Sequence, residues 1–193
     1  MSTPQVFLEM TISLDGFVAA SGVSLEHPLG VDGERVHAWL ESGSDVDRAA
    51  AAALFTNTGA VLIGRRTFDL GIGRWGDDGT FGRPCFVVTH RPAERLVKGP
   101  TTFTFVTAGL ERALAQAREA AGDRDVCVMG GAGLARQVLA AGLADELRIH
   151  VAPLLLGAGT RLFEDHGDAH VELERTSAVE GPAATHLTYR VVR

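Results

Sequence analysis

Two glycine-bearing joints hold the densest potential chemistry in the chain. Ala60-Val61-Leu62-Ile63 runs into Gly64-Arg65-Arg66-Thr67, and Val126-Cys127-Val128-Met129 runs into Gly130-Gly131-Ala132-Gly133. Each is a short apolar run, then glycine, then the opening of a helical pattern, which predicts strand, tight turn and helix N-terminus. A helix N-terminus presents N–H groups without intrahelical partners and a partial positive charge, both suited to phosphate. Two such joints suit a ligand with several phosphates, such as a dinucleotide. Glycine is the residue that lets backbone approach a phosphate closely, because a side chain would block it. Thr67 adds a hydroxyl on the first helical turn. Arg65, Arg66 and Arg91 either supply charge-assisted bonds to a 2′-phosphate, favouring NADP over NAD, or stand as solvated surface residues. The pattern is not the Gly-x-Gly-x-x-Gly of a dinucleotide fold with its ribose-binding acid. The expected mode divides the phosphates between two separate joints.

Other residues with chemical capacity are spread more thinly. Asp15 follows the first strand in Ser13-Leu14-Asp15-Gly16 and either touches substrate or caps the turn by accepting backbone N–H groups. Trp39 and Trp75 offer flat rings that stack on flat heterocycles; the alternative for Trp39 is plain core, and for Trp75 a contact between subunits. Cys85 and Cys127 each lie inside an apolar run and read as small buried hydrophobes. The seven histidines are scattered, His150 on the polar face of its strand, and no metal-ligand spacing is present.

The elements that must position these groups are read from periodicity. Val6, Leu8, Met10 and Ile12 alternate with Phe7, Glu9 and Thr11 in a first strand over 5–12. A mostly irregular, glycine-bearing stretch follows to about Gly33, a length more often functional than idle. Glu34 to Leu40 predicts a short helix. Ser44 and Asp47 suggest a capped helix whose stripe is Val46, Ala49, Ala50, Ala53 and Leu54, with Gly59 as its stop. Further strands are predicted at 85–89, 102–106, 126–129 and 147–151, with helices beginning near Leu110 and Leu134. The last strands, near 171–179 and 185–192, are close enough to pair as an antiparallel hairpin. Alternating strands and helices predict an α/β fold: three layers, a mostly parallel central sheet and a C-terminal antiparallel hairpin, in a single domain over 1–193.

Bulk properties exclude some classes. The 193 residues suffice for a sizeable core. A net charge of −6 argues against a nucleic-acid protein. No apolar run is long enough to span a bilayer and no charged-then-apolar leader opens the chain, so the expectation is a cytoplasmic protein without membrane partners.

The chain resembles the dihydrofolate reductase-like family, and more closely the stand-alone relatives of the reductase domain of bifunctional riboflavin-biosynthesis enzymes. Four segments carry the resemblance: Ser13-Leu14-Asp15-Gly16-Phe17-Val18-Ala19, Gly64-Arg65-Arg66-Thr67-Phe68, Gly130-Gly131-Ala132-Gly133, and Asp145-Glu146-Leu147 through Pro153-Leu154-Leu155-Leu156-Gly157. It implies an NADPH-binding reductase. Gly64, Arg65, Arg66 and Thr67 match a joint that holds cofactor phosphates. Gly130, Gly131, Ala132 and Gly133 match the turn against the pyrophosphate, with Leu134 starting the helix. Thr89, His90 and Arg91 match the strand end beside the adenosine ribose. The loop after Asp15 matches a mobile loop over the nicotinamide.

The same resemblance marks two departures. The helix carboxylate that holds the pterin in dihydrofolate reductases is replaced by Val36 when the segments are aligned on Trp39, with Glu34 and Asp32 nearby as alternative acids. The basic residue that follows the Asp-Gly pair in riboflavin-pathway reductases is Phe17 here. The expected substrate is therefore a small pteridine- or pyrimidine-like heterocycle, less polar or unphosphorylated, with Asp15, Phe17, Trp39 and Trp75 around it. The competing reading is a non-catalytic NADP(H)-binding sensor. Hydride transfer needs no nucleophile, so no side chain is assigned as catalytic. Relatives often pair through sheet edges and late strands, which sets the expectation of a homodimer; the Leu154-Leu155-Leu156 run suits an interface or a core.

Overall fold

A computed structural model describes residues 4–164 and 170–192. Among the described residues there are eleven strands and four α-helices. In order they are β1 (Val6–Ser13), β2 (Phe17–Ala20), α1 (Asp45–Ala53), β3 (Thr58–Gly64), α2 (Arg65–Gly71), β4 (Pro84–Val88), β5 (Leu96–Lys98), β6 (Thr101–Val106), α3 (Leu110–Ala121), β7 (Asp125–Val128), α4 (Ala132–Ala140), β8 (Glu146–Ala152), β9 (Gly159–Arg161), β10 (Leu173–Glu180) and β11 (Thr185–Val191). A 3-10 helix over Gly33–Glu41 precedes α1.

The main sheet has nine strands in the order β10-β11-β8-β1-β7-β3-β4-β6-β5. From β8 to β6 every neighbouring pair is parallel. β10, β11 and β5 add antiparallel pairs at the two edges. Parallel strands need both faces covered, and they read as near-continuous apolar runs for that reason. Thus β3 is buried from Thr58 to Ile63. One face buries Val6, Leu8, Leu62, Val126 and Val128 against Ala113, Leu114 and Ala117 of α3 and Leu134 and Val138 of α4. The opposite face buries Phe7, Val61, Ile63, Val87 and Phe103 with Phe68 of α2 and Phe81. The outcome is the expected three-layer α/β fold with its C-terminal antiparallel hairpin.

Short strands are added and two local expectations, on Gly59 and on the α1 stripe, are corrected. Within the mostly irregular segment after β1, the four-residue β2 pairs antiparallel with β9 in a separate two-stranded sheet. β5 is an added edge strand of three residues. Gly59 does not stop α1; it lies inside β3, where a Cβ would come within 2.6 Å of the Ala121 backbone, so the glycine admits α3 against the sheet. The Val46-to-Leu54 stripe does not enter the core. Ala49 and Ala53 are exposed, and the one fully buried residue of α1 is Asp47. Ser44 caps this helix as its sequence predicts, accepting the Asp47 N–H at 3.0 Å.

Candidate active site

The two glycine joints end adjacent parallel strands, β3 and β7, and they touch. The Gly64 N–H donates to the Gly130 carbonyl at 3.3 Å. Thr67 stands against the second joint so closely that a Cβ on Gly130 would lie 2.7 Å from Thr67 Cγ2, and one on Gly131 3.2 Å from Thr67 Oγ1. Both glycines have positive φ, +98° and +87°, so glycine is required on backbone grounds as well. In α4 the amides of Leu134 and Ala135 both return to the Gly131 carbonyl, at 3.0 and 3.1 Å. The amides ahead of them are the open donors of a helix N-terminus. A Cβ on Gly133 would meet nothing within 4 Å, which leaves this corner open to a bulky anion. α2 is only seven residues long, so the greater share of the dipole falls to α4.

These joints open onto one cleft of about 1040 Å³. Its rim brings together Gly64, Arg65, Arg66 and Thr67, then Thr89, His90 and Arg91, then Gly130, Gly131, Ala132, Gly133 and Leu134. Asp69 organises the charged side: its carboxylate takes Arg65 Nε at 2.7 Å and Arg91 Nη2 at 2.7 Å. Arg65 is further tied to the Arg91 carbonyl at 3.3 Å. Arg66 is exposed and has no ion-pair partner among the described residues. Thr89 Oγ1 accepts the Arg91 N–H at 3.0 Å and fixes the loop that carries His90.

The floor and far wall carry the tryptophans. Trp39 is 2% exposed; its indole N–H donates to Thr11 Oγ1 at 3.2 Å and its ring lies 4.2 Å from that of His150. Trp75 lines the cleft and stacks on Phe103 with ring centroids 5.8 Å apart. Gly71 permits that placement, since a Cβ there would fall 2.2 Å from the Trp75 ring.

Asp15 and Phe17 do not line the cleft. The Asp15 carboxylate accepts from Ser13 Oγ at 2.5 Å, the Leu156 N–H at 3.1 Å and the Gly157 N–H at 2.7 Å. The Ser13 hydroxyl leads in holding its pKa down at about 2, and the two amides assist against desolvation. Its acceptor capacity is spent tying the first turn to the loop after β8. Phe17 is 5% exposed, with the Arg161 guanidinium 4.3 Å above its ring. The cation at this corner therefore comes from the cross-strand partner of Phe17 in β9 rather than from position 17 itself. Val36 is buried, while His37 of the same 3-10 helix lines the cleft. Burial, aided by the charge of His150, lowers the His37 pKa to about 4.

Among the described residues two carboxylates line the cleft, Glu34 of the 3-10 helix and one that sequence reasoning missed. Glu9, on β1, lines the floor at 5% exposure and is hydrogen-bonded to His150 Nε2. The available signal was a lone charged residue in the middle of the first strand, VFLEMTIS. Nor are the histidines all scattered in space, because His150 and His186 bond directly through their Nδ1 atoms at 2.7 Å.

Comparison with known proteins agrees with this geometry. The model of the RibD C-terminal domain matches residues 4–187. The chain belongs to the RibD C-terminal domain family. It is 33% identical over 163 residues to riboflavin biosynthesis protein RibD of Corynebacterium ammoniagenes, covering 81% of this chain and 45% of that protein. The chain thus spans under half the length of that relative. Among solved structures, it resembles one described as a riboflavin biosynthesis protein from Shewanella sp. PV-4, with TM-score 0.73 and 22% identity over 98% of this chain and 99% of that one. It also resembles dihydrofolate reductase from Enterococcus faecalis complexed with NADP(H), with TM-score 0.65 and 16% identity over 98% and 97% of the two chains. The fold is dihydrofolate reductase-like.

Proposed function

We propose that this RibD C-terminal domain family member is an NADPH-dependent reductase of a small pteridine- or pyrimidine-like heterocycle. The observation that carries the reading is a single cleft with an anion-binding rim and an aromatic, carboxylate-bearing floor. The positive-φ glycines at 130 and 131 and the open position at Gly133 fit a close-lying pyrophosphate. Family membership and the NADP(H) complex of a protein with the same fold support that fit.

In this reading the amides that open α4 and the Thr67 hydroxyl hold the phosphates. Arg65, Arg66 and Arg91 face the 2′-phosphate, and Asp69 keeps two of those guanidinia in place. Thr89 and His90 flank the ribose. The reduced nicotinamide, when bound, supplies hydride. Trp75 presents apolar ring surface to a planar acceptor, buried Trp39 backs the floor beneath it, and Glu9 and Thr11 give the floor its polar atoms. The buried carboxylate arrives from β1, not from the 3-10 helix that carries Val36, so the acceptor is recognised from a different side than the dihydrofolate reductase resemblance implies. Asp15 and Phe17 hold the turn beside the cleft instead of touching substrate. Two copies pair through the β10 edge, whose eight residues are all exposed and include Leu173 and Val179.

The test is steady NADPH oxidation by the purified protein against a panel of pteridine and pyrimidine acceptors. Turnover with one of them supports the reductase. Tight NADPH binding without turnover favours the sensor reading, and size-exclusion chromatography with light scattering reads the dimer.

A further inference from the structure

Four buried polar side chains form one unbroken chain from the cleft floor to the protein surface. His186 of β11 lies opposite His150 of β8, and His150 lies opposite Thr11 of β1, so the three strands set these residues in one row. Glu9 Oε1 bonds His150 Nε2, His150 Nδ1 bonds His186 Nδ1 at 2.7 Å, and His186 Nε2 bonds Asp47 Oδ1 at 2.9 Å. Relative exposures are 5% for Glu9, 7% for His150, 8% for His186 and 0% for Asp47. Asp47 Oδ2 then accepts Ser42 Oγ at 2.5 Å and Ser44 Oγ at 2.7 Å. Ser42 is exposed and Ser44 half-buried, which brings the chain to solvent. At the other end, Glu9 and His150 line the cleft.

The proton count makes this arrangement unusual. Each of the three gaps between these groups must hold one proton to be a hydrogen bond. The contact between the two Nδ1 atoms is satisfied only when one ring donates and the other accepts. With both carboxylates ionised, the two rings together carry three N–H protons and hence one positive charge. When Asp47 takes up the outer proton and each ring keeps one, moving each proton across its own gap leaves Asp47 ionised, both rings neutral and Glu9 protonated, without displacing any heavy atom. Buried ionisable groups cost stability relative to apolar packing, and a core sheet has no structural need for a row of four.

We propose that Asp47, His186, His150 and Glu9 form a proton relay that feeds the reducing cleft from solvent, with Glu9 as the terminal donor. The proposal rests on the reductase reading. Hydride from a reduced nicotinamide forms a C–H bond at the acceptor carbon of a C=N or C=O group and breaks its π bond. The electron pair goes to the heteroatom, which takes a proton from the Glu9 carboxyl. Glu9 regains a proton from His150 Nε2, His150 Nδ1 takes one from His186 Nδ1, and His186 is recharged from solvent past Asp47 and its serines. Glu9 is the catalytic residue in this scheme, while His186 and Asp47 act through others. The groups facing the relay are Arg148 on β8, 4.0 Å from Glu9 Oε2 and held by Glu146, His37 on the 3-10 helix, and the Cys127 thiol on β7.

The relay is tested on the protein alone by NMR titration of ¹⁵N-histidine-labelled samples. The expected result is that His150 and His186 titrate as a coupled pair, in steps separated by more than about one pH unit. Asp47→Asn, at the far end, should then shift the His150 titration. Should Asp47→Asn fail to fold, Ser44→Ala perturbs the same carboxylate more gently and should shift His150 in the same sense. Independent titrations, or a His150 that ignores both variants, would overturn the relay whatever the protein does with NADPH. With an acceptor that sustains NADPH oxidation, Glu9→Gln should lower kcat by about 10²–10⁴-fold while NADPH affinity is retained. An unchanged kcat would remove Glu9 as the donor. Failure to bind NADPH would count against the reductase reading, not against the coupled titration.

Discussion

The rim of the cleft and its floor are built on opposite principles. The rim is made of backbone and surface charge: glycines whose φ is positive, amides at a helix start, and arginines that lie partly or fully in solvent. It favours an anion without burying a charge of its own. The floor is made of buried side chains from strands far apart in sequence, each satisfied by the next. Removing a rim residue should weaken a ligand and leave the fold standing. Removing a floor residue should strip a buried partner from its neighbour and weaken the fold itself. The comparison separates a region whose energetics appear on binding from one whose energetics are already committed on folding.

The largest effect is expected at the floor. Asp47→Ala leaves the His186 ring and two serine hydroxyls without their acceptor and should cost about 3–5 kcal/mol, measured by urea unfolding at neutral pH. Burial would raise the Asp47 pKa, but hydrogen bonds from Ser42, Ser44 and His186 outweigh it and the pKa is lowered. A carboxyl whose folded pKa is depressed stabilises above its unfolded pKa and loses that contribution as pH falls through the folded value. The gap in stability between wild type and Asp47→Ala should therefore start to narrow as pH falls below about 4 and keep narrowing until the depressed folded pKa is passed. A difference that persists undiminished in acid would mean that Asp47 acts by packing alone.

Gly130→Ala comes next, because it crosses the two regions. It places a Cβ 2.7 Å from Thr67 Cγ2 at a φ of +98°. A stability loss greater than about 1 kcal/mol is expected, together with weaker NADPH binding. Normal affinity in this variant would show that the second joint does not meet the pyrophosphate.

The Arg65→Ala, Arg66→Ala double variant should sharpen the contrast. Its stability should stay within about 1 kcal/mol of wild type, since the Arg65–Asp69 pair is partly exposed. NADPH affinity should fall at least about tenfold with the loss of charge-assisted bonds, and NADH affinity should hardly change. Equal losses for both cofactors would place the 2′-phosphate elsewhere.

A pH-dependent effect is expected at His37. Its pKa is lowered from 6.5 to about 4, so between those values the unfolded chain takes up a proton that the folded protein refuses. Stability should decline as pH falls from about 6.5 to about 4, and His37→Gln should flatten that part of the profile. A slope unchanged by the substitution would assign it to other groups.

Legibility in the sequence follows the same division. The rim was readable because its residues are contiguous: Gly64 to Thr67 and Gly130 to Leu134 are local strand–turn–helix grammar. The strands of the sheet were readable because burial imposes period and apolar runs. The floor was not readable, because its partners lie 141, 36 and 139 positions apart. The strand order β11-β8-β1 brings Glu9, His150 and His186 together, and α1 adds Asp47. The helix α1 shows the limit from the other side: alanines at helical spacing announced a helix truly, but alanine has too little apolar surface to say which face is buried, and the buried residue proved to be Asp47. Asp15 and Phe17 sit in a recognisable segment, yet the neighbours that claim them, Leu156, Gly157 and Arg161, come from the far end of the chain.

The most direct test of the cleft as a reductase site is a parallel titration of the wild-type protein with NADPH and NADH. Intrinsic fluorescence reports it well because both tryptophans, Trp39 and Trp75, line the cleft, and thermal stability gives an independent readout of the same binding. The account predicts saturable quenching and a raised Tm with NADPH, at concentrations well below those at which NADH acts. No response to either nucleotide would contradict it and leave the glycine rim in need of another phosphate-bearing ligand.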